Sequence, residues 1–423
     1  MRLAVSVYEY PPKIVGGLGT YAAEITRKFV LLEHDVSVFT MNDDEGALPT
    51  RELWRGIEIH RPLHIDVSDS LPDVVAEDVR KWGMGGGTQF FSKILVYNYL
   101  SAAKLINELV RKEGFKYDVL VAHDWLSVIA GVTEKRELGL PLVFHVHSTE
   151  KGRTLGNGSE VVSSIEHRGG QMADLVITVS NAMKEELIEL GFPKEKIRVC
   201  YNGVDPDKYS PQQVDEAKQK EIRDSCGLGD GDQMILFIGR LVWVKGVDKL
   251  IMALPHVLQK VPNAKLVIVG LGDMQEHLES MVKGLKLEDA VKFRFEFVPE
   301  EDRIAHYAAC DVAVFPSLYE PFGIVALEAM SMEKPVVVGA SGVSGMREIV
   351  VSGGPQQCGF HVNPNDPVDI AWGIVSCLQN QNRKHELGRN GRKRVLSQFT
   401  WDAIAEKTLE TYKEIVNKEG KAD

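Results

Sequence analysis

The sequence predicts an α/β fold of two doubly wound domains, each a mostly parallel sheet covered by helices on both faces. Three observations lead there. The chain has 423 residues, more than one hydrophobic core ordinarily serves, and two units of about 200 residues are the natural division. Short runs rich in β-branched residues alternate with amphipathic segments along the whole length. Those runs are nearly continuous in apolar residues, which marks strands buried on both faces.

In the first half "RLAVSVYEY", "DVSVFT", "DVLVAHD", "PLVFHVHS" and "LVITVS" read as strands; in the second half "MILFIGR", "AKLVIVG", "VKFRFEFV", "VAVFPS" and "KPVVVGA" do. Between them, segments such as "TYAAEITRKFVLLEH" and "VDKLIMALPHVLQKV" carry apolar residues at helical spacing. "YNGVDPDKYSPQQVDEAKQK" collects turn residues and prolines, so a boundary falls there. The domains are thus residues 1–205 and 206–395, and 396–423 closes the chain as helices, with Trp401 and Ile404 on an apolar face suited to docking across both. The tail "KEGKAD" is expected to fray. In Glu77–Leu100 the consecutive Gly85, Gly86 and Gly87 predict a mobile loop opening into a helix.

Composition narrows the function. A net charge of −11 argues against nucleic-acid binding, which needs a basic field, but leaves room for a small anion in a local basic pocket. "MRLAVSVYEYPP" is too short for a secretory apolar region and lacks a small-residue cleavage site. No run reaches the roughly 18 apolar residues that span a bilayer. The five cysteines form no CxxC pair, so neither a zinc site nor a disulfide framework is expected, and a reducing cytoplasm fits.

Ligands of doubly wound sheets sit beyond the carboxyl ends of the strands, so the segments that follow each strand carry the functional reading. After the first comes "PPKIVGGLGTYAAEI", where Gly16, Gly17 and Gly19 open a helix whose N–H groups can hold phosphate, and Lys13 adds charge. The spacing is neither that of a Walker loop nor GxGxxG, and a plain connecting turn is an equal reading. Later strand ends bring "HDW", His123, Asp124 and Trp125, and then His147, with Glu150 and Arg153 beyond. His145 and His147 share a strand face, but a metal would need a third ligand and none stands nearby in sequence. The expectation is no metal, with His145 in the core. "DGD" at Asp230–Asp232 and "DPD" at Asp205–Asp207 read as turns rather than metal sites.

In the second half "GRLVWVKG" delivers Arg240 and Lys245 to the ligand edge, a planar fork and a point charge suited to a diphosphate. Two ordinary surface cations are the bland alternative. "YEPFGIVALEAM" places Glu320 in a loop, Pro321 in the first turn of a helix and Glu328 about two turns further in. Gly323 would leave free N–H groups at the helix N-terminus. An anion held by amides, with a carboxylate at either end, fits better than the opposed carboxylates of a hydrolase.

Taken together, these residues resemble the retaining glycosyltransferases of the GT-B fold, the group that includes glycogen and starch synthases. The E-x7-E motif stands as Glu320 and Glu328 in "EPFGIVALE", and the Arg/Lys pair as Arg240 and Lys245. "KIVGGLG" approximates the synthase K-x-G-G-L-G with one residue more between Lys13 and Gly16. "HDW", the histidine of "FHVH" and "YNGVD" also match, and the likeness covers nearly the whole chain. Two segments depart from it: Ser344-Gly345 in "GASGVSGMREIV", where Gly-Gly is usual, and Glu77–Leu100, which does not align.

The resemblance implies two Rossmann-like domains facing across a cleft, with a C-terminal helix crossing back. The C-terminal domain would hold a nucleotide-diphosphate sugar and the N-terminal domain the acceptor. It implies that Arg240 and Lys245 neutralise the leaving diphosphate, that Gly323 and Ile324 donate backbone N–H groups, that Glu320 grips the sugar and that Glu328 grips the ribose. His147 would bond near the reacting carbon, while Lys13, Gly16 and Gly17 close on the diphosphate; His123, Asp124 and Trp125 lie on the acceptor side. The implied donor is ADP- or UDP-glucose, with no other cofactor and no metal. The implied outcome is retention, with an α-glucan as acceptor. Trp82, Phe90, Phe91, Tyr97 and Trp125 are the candidate sugar-stacking rings, beside the plainer reading that most are core. A small-molecule, sugar-phosphate or lipid acceptor is the alternative, followed by an epimerase or an inactive nucleotide-sugar binder.

Overall fold

The structure, a computed structural model, describes residues 1–14, 16–42, 47–70, 77–81 and 87–419. It divides into two compact units, Met1–Tyr201 with Trp401–Asp423, and Asn202–Thr400.

The first unit is built on eight strands: β1 (Arg2–Ser6), β2 (Asp35–Phe39), β3 (Arg51–Trp54), β4 (Ile57–His60), β5 (Val119–His123), β6 (Leu142–Val146), β7 (Leu175–Thr178) and β8 (Ile197–Val199). Their order is β3-β4-β2-β1-β5-β6-β7-β8. Every pairing is parallel except β3 with β4. That hairpin turns through Arg55 (φ 51°) and Gly56 (φ 81°), the two positive φ values whose twist matches the strands. The sequence reading passed over it because "RELWRGIEIH" alternates charge with apolar residues. β5, β6 and β7 are buried along their whole length, as their apolar runs foretold.

The second unit holds β9 (Gln233–Ile238), β10 (Ala264–Val269), β11 (Val291–Arg294), β12 (Val312–Phe315), β13 (Val336–Gly339) and β14 (Gly359–Val362). They pair in the order β11-β10-β9-β12-β13-β14, all parallel. In each sheet the chain works outward from its first strand and then returns to that strand's other side. The reversal lies between β1 and β5 in one unit and between β9 and β12 in the other, and a crevice for ligands forms at such points.

The division at Tyr201/Asn202 and Thr400/Trp401 lies a few residues from the sequence-read limits. Val204 N–H donates to the Phe399 carbonyl at 2.9 Å, which ties both crossing segments into the second unit. The final helix, Trp401–Glu419, belongs to the first unit. There it packs on the helix Gly17–Leu31: Trp401 lies 5.9 Å from Tyr21 and Tyr412 5.9 Å from Phe29, centroid to centroid, and Lys28 pairs with Asp402 at 2.6 Å.

The helix Gly87–Ala103 begins at the last of the three consecutive glycines; Trp82, Gly85, Gly86 and the last four residues of the tail lie outside the described residues. Among the described residues no helix is long and apolar enough to cross a membrane. All five cysteines are free and buried.

Candidate active site

In the second unit the chain leaves β9 through Gly239, and Arg240 follows exposed to solvent. A short turn, Trp243–Lys245, ends at Gly246 with φ 67°. A Cβ at Gly246 would lie 2.2 Å from the Pro316 carbonyl oxygen, so only glycine lets this loop rest on the one after β12. Leu318 N–H donates to the Val244 carbonyl at 2.8 Å and fixes the contact. The result is an ion pair between Lys245 Nζ and Glu320 Oε2 at 2.5 Å, with side chains only 20% and 10% exposed. Ser317 Oγ donates to the same carboxylate oxygen at 3.3 Å.

The Glu320 backbone is held just as firmly. Its N–H donates to the Val343 carbonyl (3.0 Å), and its carbonyl accepts from Gly345 N–H (2.8 Å). A Cβ at Gly345 would lie 2.3 Å from the Pro321 carbonyl oxygen, so that position requires glycine. Ser344 is fully buried, and its Oγ donates to the Gly339 carbonyl at 2.7 Å. The Ser-Gly departure from the usual Gly-Gly therefore keeps the glycine that the packing needs.

The helix in this motif starts at Ile324, not at Pro321. Gly323 adopts φ 101° and breaks the helical path, so Pro321 and Phe322 form the bend ahead of it. Glu328 accordingly sits little more than one turn in. It is buried, accepting from the Tyr307 hydroxyl at 2.9 Å and pairing with Arg303 at 3.4 Å. Arg303 also donates to the Tyr209 hydroxyl at 2.6 Å, and the Glu328 carboxylate pushes its pKa up. The two acids of the motif thus have different surroundings: Glu320 holds a lysine at the loop, while Glu328 sits inside a network of arginine and tyrosines that spacing alone did not disclose.

In the first unit Gly16 caps the helix Gly17–Leu31 in an extended conformation. Its N–H donates to Glu9 Oε2 at 3.1 Å, and a Cβ at Gly19 would come within 3.2 Å of Glu9. Lys13 precedes Gly16 in a turn of its own, its N–H donating to the Tyr10 carbonyl at 3.1 Å. Glu9 was missed from sequence; its place just past β1 was the signal that pointed to it.

The β5–β6 register sets His123 beside His145. His147 follows, and its Nε2 lies 3.0 Å from His123 Nδ1. Here the sequence expectation is corrected: a third imidazole does join His145 and His147, supplied by the neighbouring strand rather than by nearby sequence. His145 is core as expected, its Nε2 2.8 Å from the Tyr412 hydroxyl. Burial lowers the pKa of all three rings, that of His147 to about 3. Asp124 opens the helix Asp124–Leu138 at φ 54°. Its Oδ1 accepts the His147 N–H at 2.7 Å, and burial raises its carboxyl to about 6. Beyond it Arg153 pairs with Glu150, whose N–H is held by Glu166.

Trp125 is a second correction. It is 3% exposed and packs with Val79, Phe91, Ile94 and Val162, so its ring offers no open face to an acceptor. Phe91 and Tyr97 are buried too, and Tyr97 donates its hydroxyl to the Phe39 carbonyl at 2.9 Å. Phe90 remains 40% exposed.

Two largely parallel α/β sheets, each with its candidate residues at the carboxyl edge, have the GT-B fold of glycosyltransferases. Sucrose-phosphate synthase from Thermosynechococcus elongatus has the same fold, with a TM-score of 0.77, 23% identity and 99% of each chain covered. The model of glycosyl transferases group 1 matches residues 218–394, and that of glycosyltransferase family 4 matches residues 15–208. An uncharacterized glycosyltransferase of Methanocaldococcus jannaschii is 35% identical over 421 residues, 98% of either chain. The chain belongs to this family of glycosyltransferases. It is also similar to a glycogen synthase of Mycobacterium tuberculosis, 28% identical over 418 residues, covering 97% of this chain and 94% of that one.

Proposed function

We propose that this protein is a retaining, metal-independent hexosyltransferase that moves a glucosyl unit from ADP- or UDP-glucose to an α-glucan. The observation that carries the reading is the Lys245–Glu320 pair, 2.5 Å long, at the edge of the second sheet. Without donor, each side chain neutralises the other. With donor, Lys245 turns to the diphosphate and Glu320 to the sugar hydroxyls, so one exchange arms both.

In the transfer the acceptor hydroxyl oxygen bonds to the anomeric carbon as the bond from that carbon to the diphosphate oxygen breaks. The acceptor's proton passes to the departing phosphate oxygen on the same face, and configuration is retained. Lys245, Arg240 and the N–H groups of Gly323 and Ile324 take up the charge that grows on the diphosphate. In the first unit Lys13, Gly16 and Gly17 are suited to an anion, with Glu9 yielding the Gly16 N–H to it. His147 bonds a sugar hydroxyl near the reacting carbon, while His123 and Asp124 hold His147. Glu328 keeps acceptor capacity beyond Tyr307 and Arg303 for the ribose hydroxyls. Five buried free thiols suit a reducing cytoplasm.

The similarity to a glycogen synthase supports the glucan acceptor. The burial of Trp125, Phe91 and Tyr97 favours a second reading, a small acceptor such as a sugar phosphate, because it removes three of the stacking rings a polymer would use. Nucleotide release from ADP-, UDP- and GDP-sugars, each with and without glycogen, tests both. Release that glycogen accelerates supports the glucan; release that it leaves unchanged supports the small acceptor; no release from any donor overturns transfer. Turnover is expected to survive EDTA, and its complete loss there would refute metal independence.

A further inference from the structure

Three imidazoles meet at the carboxyl ends of β5 and β6, and the transfer reading gives a direct substrate contact to only one. One ring nitrogen from each of His123, His145 and His147 lies within 4.8 Å of the others. The closest pair, His123 Nδ1 and His147 Nε2, are 3.0 Å apart. Zinc–imidazole bonds of about 2.0–2.1 Å set a tetrahedral edge near 3.3 Å, so this pair already stands at almost the right separation. The third nitrogen, within 4.8 Å of both, must draw closer to complete the set.

The surroundings suit a metal. The Tyr21 ring walls the cluster at 4.8 Å from His147 and 5.8 Å from each of the other two. The Tyr412 hydroxyl on His145 Nε2, at 2.8 Å, is the kind of outer partner that orients a ligating imidazole. Buried imidazoles stay neutral, the form that offers a lone pair. Asp124, joined to the His147 N–H at 2.7 Å, places a carboxylate beside the cluster to offset a cation. An all-imidazole set selects zinc, copper, nickel or cobalt over magnesium or calcium.

We propose that His123, His145 and His147 bind one divalent transition-metal ion of the zinc class, with a fourth position open to water. Binding moves the proton that lies between His123 and His147 to the outer nitrogen of the ring that carries it, a change of tautomer with no net proton released, since both facing nitrogens must then offer lone pairs. Because the ion takes His147 Nε2, its occupancy inhibits transfer rather than driving it. That consequence rests on the proposed role of His147; the binding does not.

The full chain, stripped with chelator and dialysed, is titrated with Co²⁺ while the visible bands of tetrahedral cobalt are followed. The expected result is one Co²⁺ per chain, displaced by Zn²⁺, with affinity lowered roughly tenfold or more in His145→Gln. Should His145→Gln fail to fold by circular dichroism, Tyr412→Phe takes its place, with a loss of about tenfold expected from the missing outer partner. No cobalt bands, or equal affinity in the variant that folds, would overturn the site. In a second arm, Zn²⁺ is expected to suppress donor turnover reversibly by EDTA. Cobalt binding with zinc-insensitive turnover would uphold the site and refute the inhibition.

Discussion

The carboxyl edge of the first sheet centres on neutral imidazoles, and that of the second on ion pairs. In the first, His123, His145 and His147 are held by ring contacts, by one another and by a tyrosine hydroxyl. In the second, Lys245 meets Glu320 and Arg303 meets Glu328, all largely buried. The difference suits the two proposed tasks: fixed charges stabilise best where charge develops in a reaction, whereas neutral donors and acceptors suit the orientation of hydroxyl groups. It also separates two kinds of stability. An ion pair out of water is costly to break from one side, because the remaining charge stays buried; a neutral ring exchanged for another polar group loses about one hydrogen bond.

The largest expected effect is at Lys245. Lys245→Ala should lower donor turnover by about 10²–10³-fold, the scale seen when one preorganised charge-stabilising group is removed. Its circular dichroism spectrum should not change. Unchanged turnover would detach the second edge from the leaving group. Next is Glu328→Gln, which leaves Arg303 facing a neutral amide. A destabilisation of about 3 kcal/mol is expected in urea unfolding, and a loss below about 0.5 kcal/mol would show the network to be well hydrated. Glu320→Gln should be milder for the fold and selective for function. Sugar use should fall by roughly tenfold or more while binding of the free nucleoside diphosphate holds, since a hydrogen bond to a charged group contributes about 1.5–3 kcal/mol. Equal losses in both would place Glu320 on the nucleotide.

The same contrast explains what could be read from the sequence. Parallel strands with long apolar runs announce themselves, so the centres of both sheets were legible, and the strand-end rule led to Arg240, Lys245, Glu320 and His147 as candidates. β3 and β4 were not legible, because their alternation of charge and apolar residues suits an exposed hairpin as well as a loop, and neither were the edge strands β8 and β14, which are short and only partly buried. Charged residues stand out where an apolar strand ends; partnerships between elements do not. That Glu328 meets Arg303 and Tyr307, or that His123 lies beside His145, depends on which strands and helices become neighbours. The start of the helix at Ile324 depends on Gly323 taking a positive φ, and nothing local distinguishes this from a helix begun at Pro321. Trp125 misled for a related reason: an aromatic after a strand reads as a platform until its helix turns the ring inward against Phe91.

The smallest effect expected tests the neutral character of the first unit at a buried carboxyl. Glu134 lies in the helix Asp124–Leu138, 1% exposed, and among the described residues its Oε1 has no hydrogen-bond partner. Burial pushes its carboxyl up to about 8 from the ordinary 4.5. Between those two values the folded chain holds a proton that the unfolded chain has released. Stability therefore falls as pH rises through that window and levels off above it. Glu134→Gln keeps the shape and removes the titration. Its thermal midpoint should exceed that of the parent by about 2–4 °C at pH 8 for each kcal/mol recovered, and match it near pH 5, where the parent carboxyl is protonated in the fold. An equal rise at both pH values would show that the amide gains by hydrogen bonding alone, and that Glu134 is not a buried carboxyl kept neutral by its surroundings.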